Sequence, residues 1–177
     1  MRCNAVVAGL GGQGIAAILR IVAASAMAEG FDARCLEMRD LSRRLGRVQG
    51  HIRLGQCEGV AIPRGRADVL IVLEMAESLC VLPYLRPGGA AIVSTTRFPA
   101  APGTRAYPDE ERVVQLVKKA GGGVMTVPAG KLAREAHYPE GENMVMLGVF
   151  SALNDLLDRQ QLVRTIEELS GDSARGC

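Results

Sequence analysis

The chain has 177 residues, 48% of them hydrophobic, with 21 basic and 19 acidic side chains for a net charge of +2. That length fits one domain with a sizeable core, and the hydrophobic fraction excludes a disordered chain. The charge balance excludes nucleic acid as the main partner, and no apolar run is long enough to span a membrane.

The opening apolar run is too short for a signal peptide, so a soluble cytoplasmic protein is expected. Residues 4–8 are predicted as a buried first strand that runs into Gly9-Leu10-Gly11-Gly12-Gln13-Gly14. This matches G-x-G-x-x-G in the strand-to-helix setting that the motif requires. Glycines permit a tight turn, close approach of backbone amides to a phosphate, and close packing of helix on strand. The following helix N-terminus adds partial positive charge. Gly9, Gly11, Gly12, Gln13 and Gly14 are therefore candidate residues of an anion-binding turn, against a turn kept for packing alone.

Ile15, Ile18, Leu19, Val22 and Ala26 recur at helical spacing, and Gly30 sits where that helix should stop. Residues 33–37 form a predicted second strand ending on Glu37. An acid near this position reads the ribose of a dinucleotide, so a nicotinamide or flavin dinucleotide stays open. Arg39, Arg43, Arg44, Arg47 and Arg53 crowd one short segment. They read either as a solvated loop or as a site for phosphate, carboxylate or a charged subunit interface.

From Val48, apolar Val48, Ile52 and Leu54 alternate with Gln49, His51 and Arg53. This is the period of a strand with one face inward and the polar trio facing elsewhere. His51 and Arg53 are candidates for an anionic ligand or a neighbouring subunit, against an ordinary solvated face. Residues 55–59 then turn the chain into a short return strand at 60–62, a hairpin inserted into a parallel design.

Residues 67–73 read as a central strand buried on both faces. A helix at 76–82 follows, then Pro87-Gly88-Gly89 as a break before a strand at 90–94. Residues 97–108, with Pro99, Pro102 and Pro108, form an irregular loop. Asp109 caps a helix running to residue 120 with Val113, Val114 and Val117 inward. A last short strand spans 124–128, and a short helix 131–136. A longer apolar helix, 143–157, has Asn143 as its N-cap. Leu162, Ile166 and Leu169 mark a final amphipathic stretch, and the chain should fray from Ser170. The result is a single domain over 1–170 with a tail at 171–177: a three-layer α/β, Rossmann-like fold with a mostly parallel sheet.

Five cysteines, Cys3, Cys35, Cys57, Cys80 and Cys177, contain no C-x-x-C pair. That spacing speaks against a zinc or iron–sulfur site, and the odd count against a disulfide framework. Cys35 and Cys80 are expected to be small buried hydrophobes.

Several blocks together resemble the gamma-type domain of 2-oxoacid:ferredoxin oxidoreductases. They are the glycine turn, Gly50-His51-Ile52-Arg53-Leu54-Gly55, Ala67-Asp68-Val69-Leu70 with Glu74, Tyr84-Leu85-Arg86-Pro87-Gly88-Gly89, and Asn143-Met144-Val145-Met146-Leu147-Gly148. They cover residues 4–157, and the free-standing length is similar to the beta subunit of indolepyruvate oxidoreductases. Two departures stand out: Arg44-Leu45-Gly46 replaces an arginine–glycine–glycine run, and Gly50 replaces a serine. The resemblance implies an accessory subunit supporting oxidative decarboxylation of a 2-oxoacid to acyl-CoA, with electrons passed to ferredoxin. It implies thiamine diphosphate and iron–sulfur clusters in a larger partner chain, with coenzyme A possible at the interface. This sequence has neither a thiamine motif nor a cluster-binding cysteine series, so the hard chemistry falls to the partner. On that reading the candidate turn would hold a phosphate of coenzyme A or would only shape the subunit interface. The competing readings are a stand-alone dinucleotide-dependent dehydrogenase and a non-catalytic interaction module.

Overall fold

The computed structural model describes residues 2–40, 46–56, 58–98, 107–153 and 156–175. Six strands form one sheet in the order β2-β3-β1-β4-β5-β6. They are β1 (Cys3–Leu10), β2 (Ala33–Arg39), β3 (Arg47–Leu54), β4 (Ala67–Val72), β5 (Leu85–Ser94) and β6 (Gly123–Val127). β3 runs antiparallel to both β1 and β2, while β1, β4, β5 and β6 pair in parallel. The α/β fold with a mostly parallel sheet is thus as expected.

Helix α1 (Ile15–Ala28) joins β1 to β2, and α2 (Ser78–Val81), flanked by two 3₁₀ turns, joins β4 to β5. The first connection moves toward β2 and the second toward β6, so right-handed crossovers place their helices on opposite faces. Two separate apolar clusters result. One joins α1 to α5 (Glu142–Leu153) and α6 (Arg159–Arg175), and the other packs α2 and α3 (Glu110–Lys119) beneath β1, β4 and β5. The ends of α1 and α3 follow from local chemistry. Gly30, at φ 80°, lets its own amide and that of Phe31 close on Met27 and Ala26. Asp109 accepts from the Arg112 amide at 2.6 Å, the expected cap. α4 (Ala129–Glu135) completes the fold, and no helix among the described residues is long and apolar enough to cross a membrane.

Several expectations need correction. Residues 60–62 are not a return strand. β3 already has β1 on one edge and β2 on the other, so no edge is left to pair with, and the hairpin is β2–β3 instead. β5 starts at Leu85 and runs through Pro87-Gly88-Gly89, with a register shift against β4 where a break was expected. Asn143 lies inside α5 rather than capping it, and α5 ends at Leu153. The backbone of α6 is helical to Arg175, beyond the expected fraying point. Cys35 is exposed and Cys80 half-buried. The Cys35 thiol itself turns inward toward the Leu19 carbonyl at 3.7 Å, and burial pushes its pKa up to about 11. A thiol raised so far is a poor nucleophile at neutral pH. Of the loop expected at 97–108, residues 99–106 lie outside the described residues.

Candidate functional site

In open α/β sheets the ligand crevice lies beyond the carboxyl ends of the strands, where connections diverge to either side. Here that point falls between β1 and β4, and the glycine turn stands directly on it. Gln13 spans the gap. Its Oε1 accepts from the Leu10 amide at 2.7 Å, and its Nε2 donates to the Leu73 carbonyl at 3.0 Å beyond the end of β4. Gly9 makes room for this bridge, since a Cβ there would lie 2.7 Å from Gln13 Oε1. Gly9 and Gln13 therefore lock the two strands together.

The remaining glycines of the turn differ in what they permit. Gly14 takes a left-handed conformation, φ 76°, and a Cβ on it would lie 2.2 Å from Asn143 Nδ2. Asn143 in turn reaches the Gly14 carbonyl at a long 3.5 Å. Gly12, at φ +91°, faces open space, and at Gly11 a Cβ would meet only the Gly46 carbonyl at an ordinary 3.7 Å. The amides of Gly11 and Gln13 are taken by the carbonyls of Gly46 and Leu10. No side chain caps the α1 N-terminus. The turn and the first residues of α1 line a cleft of about 360 Å³, closed on its far side by Glu37, Arg39 and Val48.

Glu37 does not take the place of a ribose-reading acid. In the dinucleotide fold the second strand neighbours the first. Here β3 lies between them, which moves Glu37 one further strand spacing, to about 10 Å from β1. Its carboxylate is also ion-paired with Arg39.

His51 and Arg53 do not converge on the turn. Gly50 faces α1, where a Cβ would crowd the Leu19 side chain at 2.7 Å, so His51 and Arg53 project to the opposite face. Arg53 pairs in register with Asn4, six residues from Leu10 and so about 20 Å along the strand. Nor is the polar trio solvated. The loop after β3 roofs this face, and His51 is only 1% exposed. Its Nδ1 accepts from the Ile62 amide at 2.8 Å, and its ring meets Tyr84 edge-on at 5.2 Å. With Nδ1 accepting, the neutral ring carries its proton on Nε2, and the Gln49 side-chain amide 2.7 Å away accepts it through its oxygen, the orientation of that amide which the tautomer requires. Burial holds the His51 pKa below its usual value. Arg53 binds the carbonyls of Glu58, Gly59 and Ala61 and the Asn4 side chain. Both residues act as staples of an irregular loop.

The crowded arginines resolve in the same way. Arg39 pairs with Glu37, Arg47 with Glu77, and Arg53 with loop carbonyls, while Arg43 and Arg44 lie outside the described residues. Arg47 and Glu77 bring the start of β3 against the turn after β4. Glu74 there is 2% exposed, and burial raises its carboxyl pKa, although it accepts from the Glu77 and Phe98 amides. Thr96 donates to Glu142 at 2.8 Å, tying the end of β5 to α5. Glu77, Thr96 and Glu142 were not singled out from sequence, because their partners lie far off along the chain. Among the described residues no three His, Cys, Asp or Glu side chains converge as a metal-binding group.

Comparison with known proteins agrees with this architecture. The model of the pyruvate ferredoxin/flavodoxin oxidoreductase family matches residues 4–174. Indolepyruvate oxidoreductase subunit IorB of Archaeoglobus fulgidus is 33% identical over 152 residues, covering 84% of this chain and 76% of that protein. Its counterpart in Methanothermobacter thermautotrophicus is 28% identical over 95% of this chain and 88% of its own length. Pyruvate oxidoreductase subunit PORC from Thermotoga maritima superposes with a TM-score of 0.72 at 19% identity, over 95% of this chain and 85% of that one. A 2-oxoglutarate:ferredoxin oxidoreductase from Magnetococcus marinus, with 2-oxoglutarate, coenzyme A and succinyl-CoA bound, gives 0.73 at 20% identity. The match covers 97% of this chain and 27% of that larger one.

Proposed function

The chain belongs to the pyruvate ferredoxin/flavodoxin oxidoreductase family, and we propose that it is the cytoplasmic accessory subunit of an indolepyruvate-type 2-oxoacid:ferredoxin oxidoreductase. The observation that carries this reading is the 33% identity to an IorB subunit across most of the chain, on a fold whose crevice is bridged from within by Gln13. A larger partner chain holds thiamine diphosphate and the iron–sulfur clusters, which supply decarboxylation of the 2-oxoacid and electron transfer to ferredoxin. This chain contributes binding surface and orientation. Purified alone, it should give no 2-oxoacid-dependent dye reduction, and turnover by the homogeneous chain would refute the assignment. The dehydrogenase alternative loses its support, since Glu37 is displaced by β3 and neutralised by Arg39.

Within this role the glycine turn is the place for an anionic group such as a coenzyme A phosphate. Two features support it: the α1 N-terminus has no side-chain cap, and its first residues, Ile15, Ala16 and Ala17, line the cleft beside Gly12. Gly9 and Gln13 hold the frame, Gly11 and Gly12 border the ligand, and Gly14 sets the start of the helix. His51 and Arg53 support the neighbouring loop and are not assigned to the ligand. Gly11 gives the clean test, because packing inside the chain does not demand glycine there. Gly11→Val should raise the KM for coenzyme A about tenfold or more, because its branched side chain would stand in the cleft and keep a phosphate from the α1 N-terminus, with the thermal midpoint and assembly unchanged. An unchanged KM in a correctly assembled complex would remove coenzyme A from the turn.

A further inference from the structure

A helix that is apolar on every side is normally buried on every side. Helix α5 is apolar nearly throughout, yet only Met146, Leu147, Phe150 and Ser151 are buried, while Gly148, Ala152 and Leu153 are exposed. α5 and α6 both lean on α1, and their backbones approach each other little although Leu162 of α6 shares an apolar cluster with Leu147 and Phe150 of α5. A groove runs between them. One end is a depression of about 530 Å³ that includes Arg20, Met144 and Ile166, and the next, of about 230 Å³, has Gly148 and Ala152 on one wall and Val163 on the other. A third, lined by α6 alone, adjoins it at Arg159 and Val163 and includes Arg164.

Two properties of the groove point to its occupant. First, among the described residues the lining of the three depressions includes Arg20, Arg159 and Arg164 but no aspartate or glutamate, and Arg164 has only a long, exposed pair with Asp158 at 3.9 Å. The groove is therefore apolar along its floor and positive along its rim. Secondly, Gly148 sits inside α5 although nothing within the chain requires glycine: a Cβ there would have no neighbour within 4 Å. A mid-helix glycine weakens a helix. What its bare backbone offers is close approach by another element.

We infer that the α5–α6 groove docks an amphipathic helix of the larger partner subunit, with an apolar ridge against Gly148 and Ala152 and carboxylates facing Arg159 and Arg164. The inference rests on the accessory-subunit reading above and adds the surface and chemistry of the contact. Helix-in-groove binding of this kind uses anchors spaced along one helical face. α5, with 12 residues, offers a track of about 18 Å, enough for three such anchors.

The experiment compares wild type, Gly148→Trp, and the charge reversal Arg159→Glu with Arg164→Glu, each co-expressed with the partner chain and also purified alone. Gly148→Trp should leave the thermal midpoint of the lone chain unchanged or raised, because its side chain enters empty space. Its affinity for the partner should fall at least tenfold. The reversal should weaken assembly by a similar factor and, since both arginines are on the surface, provides the test if the tryptophan variant fails to fold. Variants that assemble as wild type would overturn the groove while leaving the accessory role intact. An effect confined to self-association of this chain would assign the groove to a second copy and overturn the inference. Failure of the wild-type chain to bind the partner would instead bring down the accessory-subunit reading, and the groove with it.

Discussion

Gly14→Ala should destabilise the fold by about 2–5 kcal/mol, the largest effect expected from a single methyl group anywhere in the glycine turn. Two costs combine. An L-residue held at φ 76° loses about 1–2 kcal/mol to the left-handed conformation. The added Cβ must also displace Asn143, whose Nδ2 and Cγ would stand at 2.2 and 2.8 Å, and overpacking of this kind costs about 1–3 kcal/mol. Urea denaturation of the two single variants and the double variant separates the terms. Asn143→Ala should rescue most of the packing cost in the Gly14→Ala background, leaving only the backbone strain. A coupling near zero between the two sites would mean that Gly14 and Asn143 do not meet.

His51→Leu is expected to cost about 2–4 kcal/mol, despite replacing one buried ring by a side chain of similar bulk. It removes the acceptor of the Ile62 amide, on a residue only 2% exposed, and an unsatisfied buried donor costs about 1–3 kcal/mol. The edge-on contact with Tyr84 adds about 0.5–1.5 kcal/mol. The same substitution changes the pH profile. Burial lowers the folded-state pKa of His51 below the ordinary 6.5, so the unfolded chain takes up the proton first. The stabilising contribution is therefore complete above pH 6.5 and is lost as the pH falls from there toward the folded pKa. Glu74 works in the other direction. Its raised pKa favours the folded state as the pH falls through it, so the difference between wild type and His51→Leu isolates the histidine. A difference that stays flat from pH 7.5 to 5 would contradict the buried, neutral ring.

Sequence reasoning reached the elements whose signals are local. The first strand, its glycine turn and α1 lie within one short stretch, and each requirement is met by neighbours in sequence. Where a partner comes from elsewhere, spacing misleads. Alternation along β3 predicts an inward and an outward face, but the second face is roofed by a loop held through side-chain bonds from His51 and Arg53. Irregular backbone of that kind has no period to read. Glu37 satisfies the spacing for a ribose-binding acid, while the strand inserted between β1 and β2 is invisible to any count of residues. Asn143 has the chemistry of a helix cap, yet its amide turns to a carbonyl 129 positions away. The resemblance to the gamma-type domain carried the family and the fold further than any single motif did, because the order of its blocks spans the chain.

As the accessory subunit proposed above, this chain should be indispensable to a 2-oxoacid oxidoreductase whose redox cofactors sit in another subunit. That expectation is tested most directly by reconstitution. The partner chain, prepared without this subunit and loaded with thiamine diphosphate and its clusters, is titrated with the purified protein while ferredoxin reduction by indolepyruvate is followed in the presence of coenzyme A. Neither chain alone should turn over, and the rate should climb with added subunit to a plateau that marks the stoichiometry of the complex. A partner chain already at full rate without this protein, and unaffected by its addition, would contradict the account.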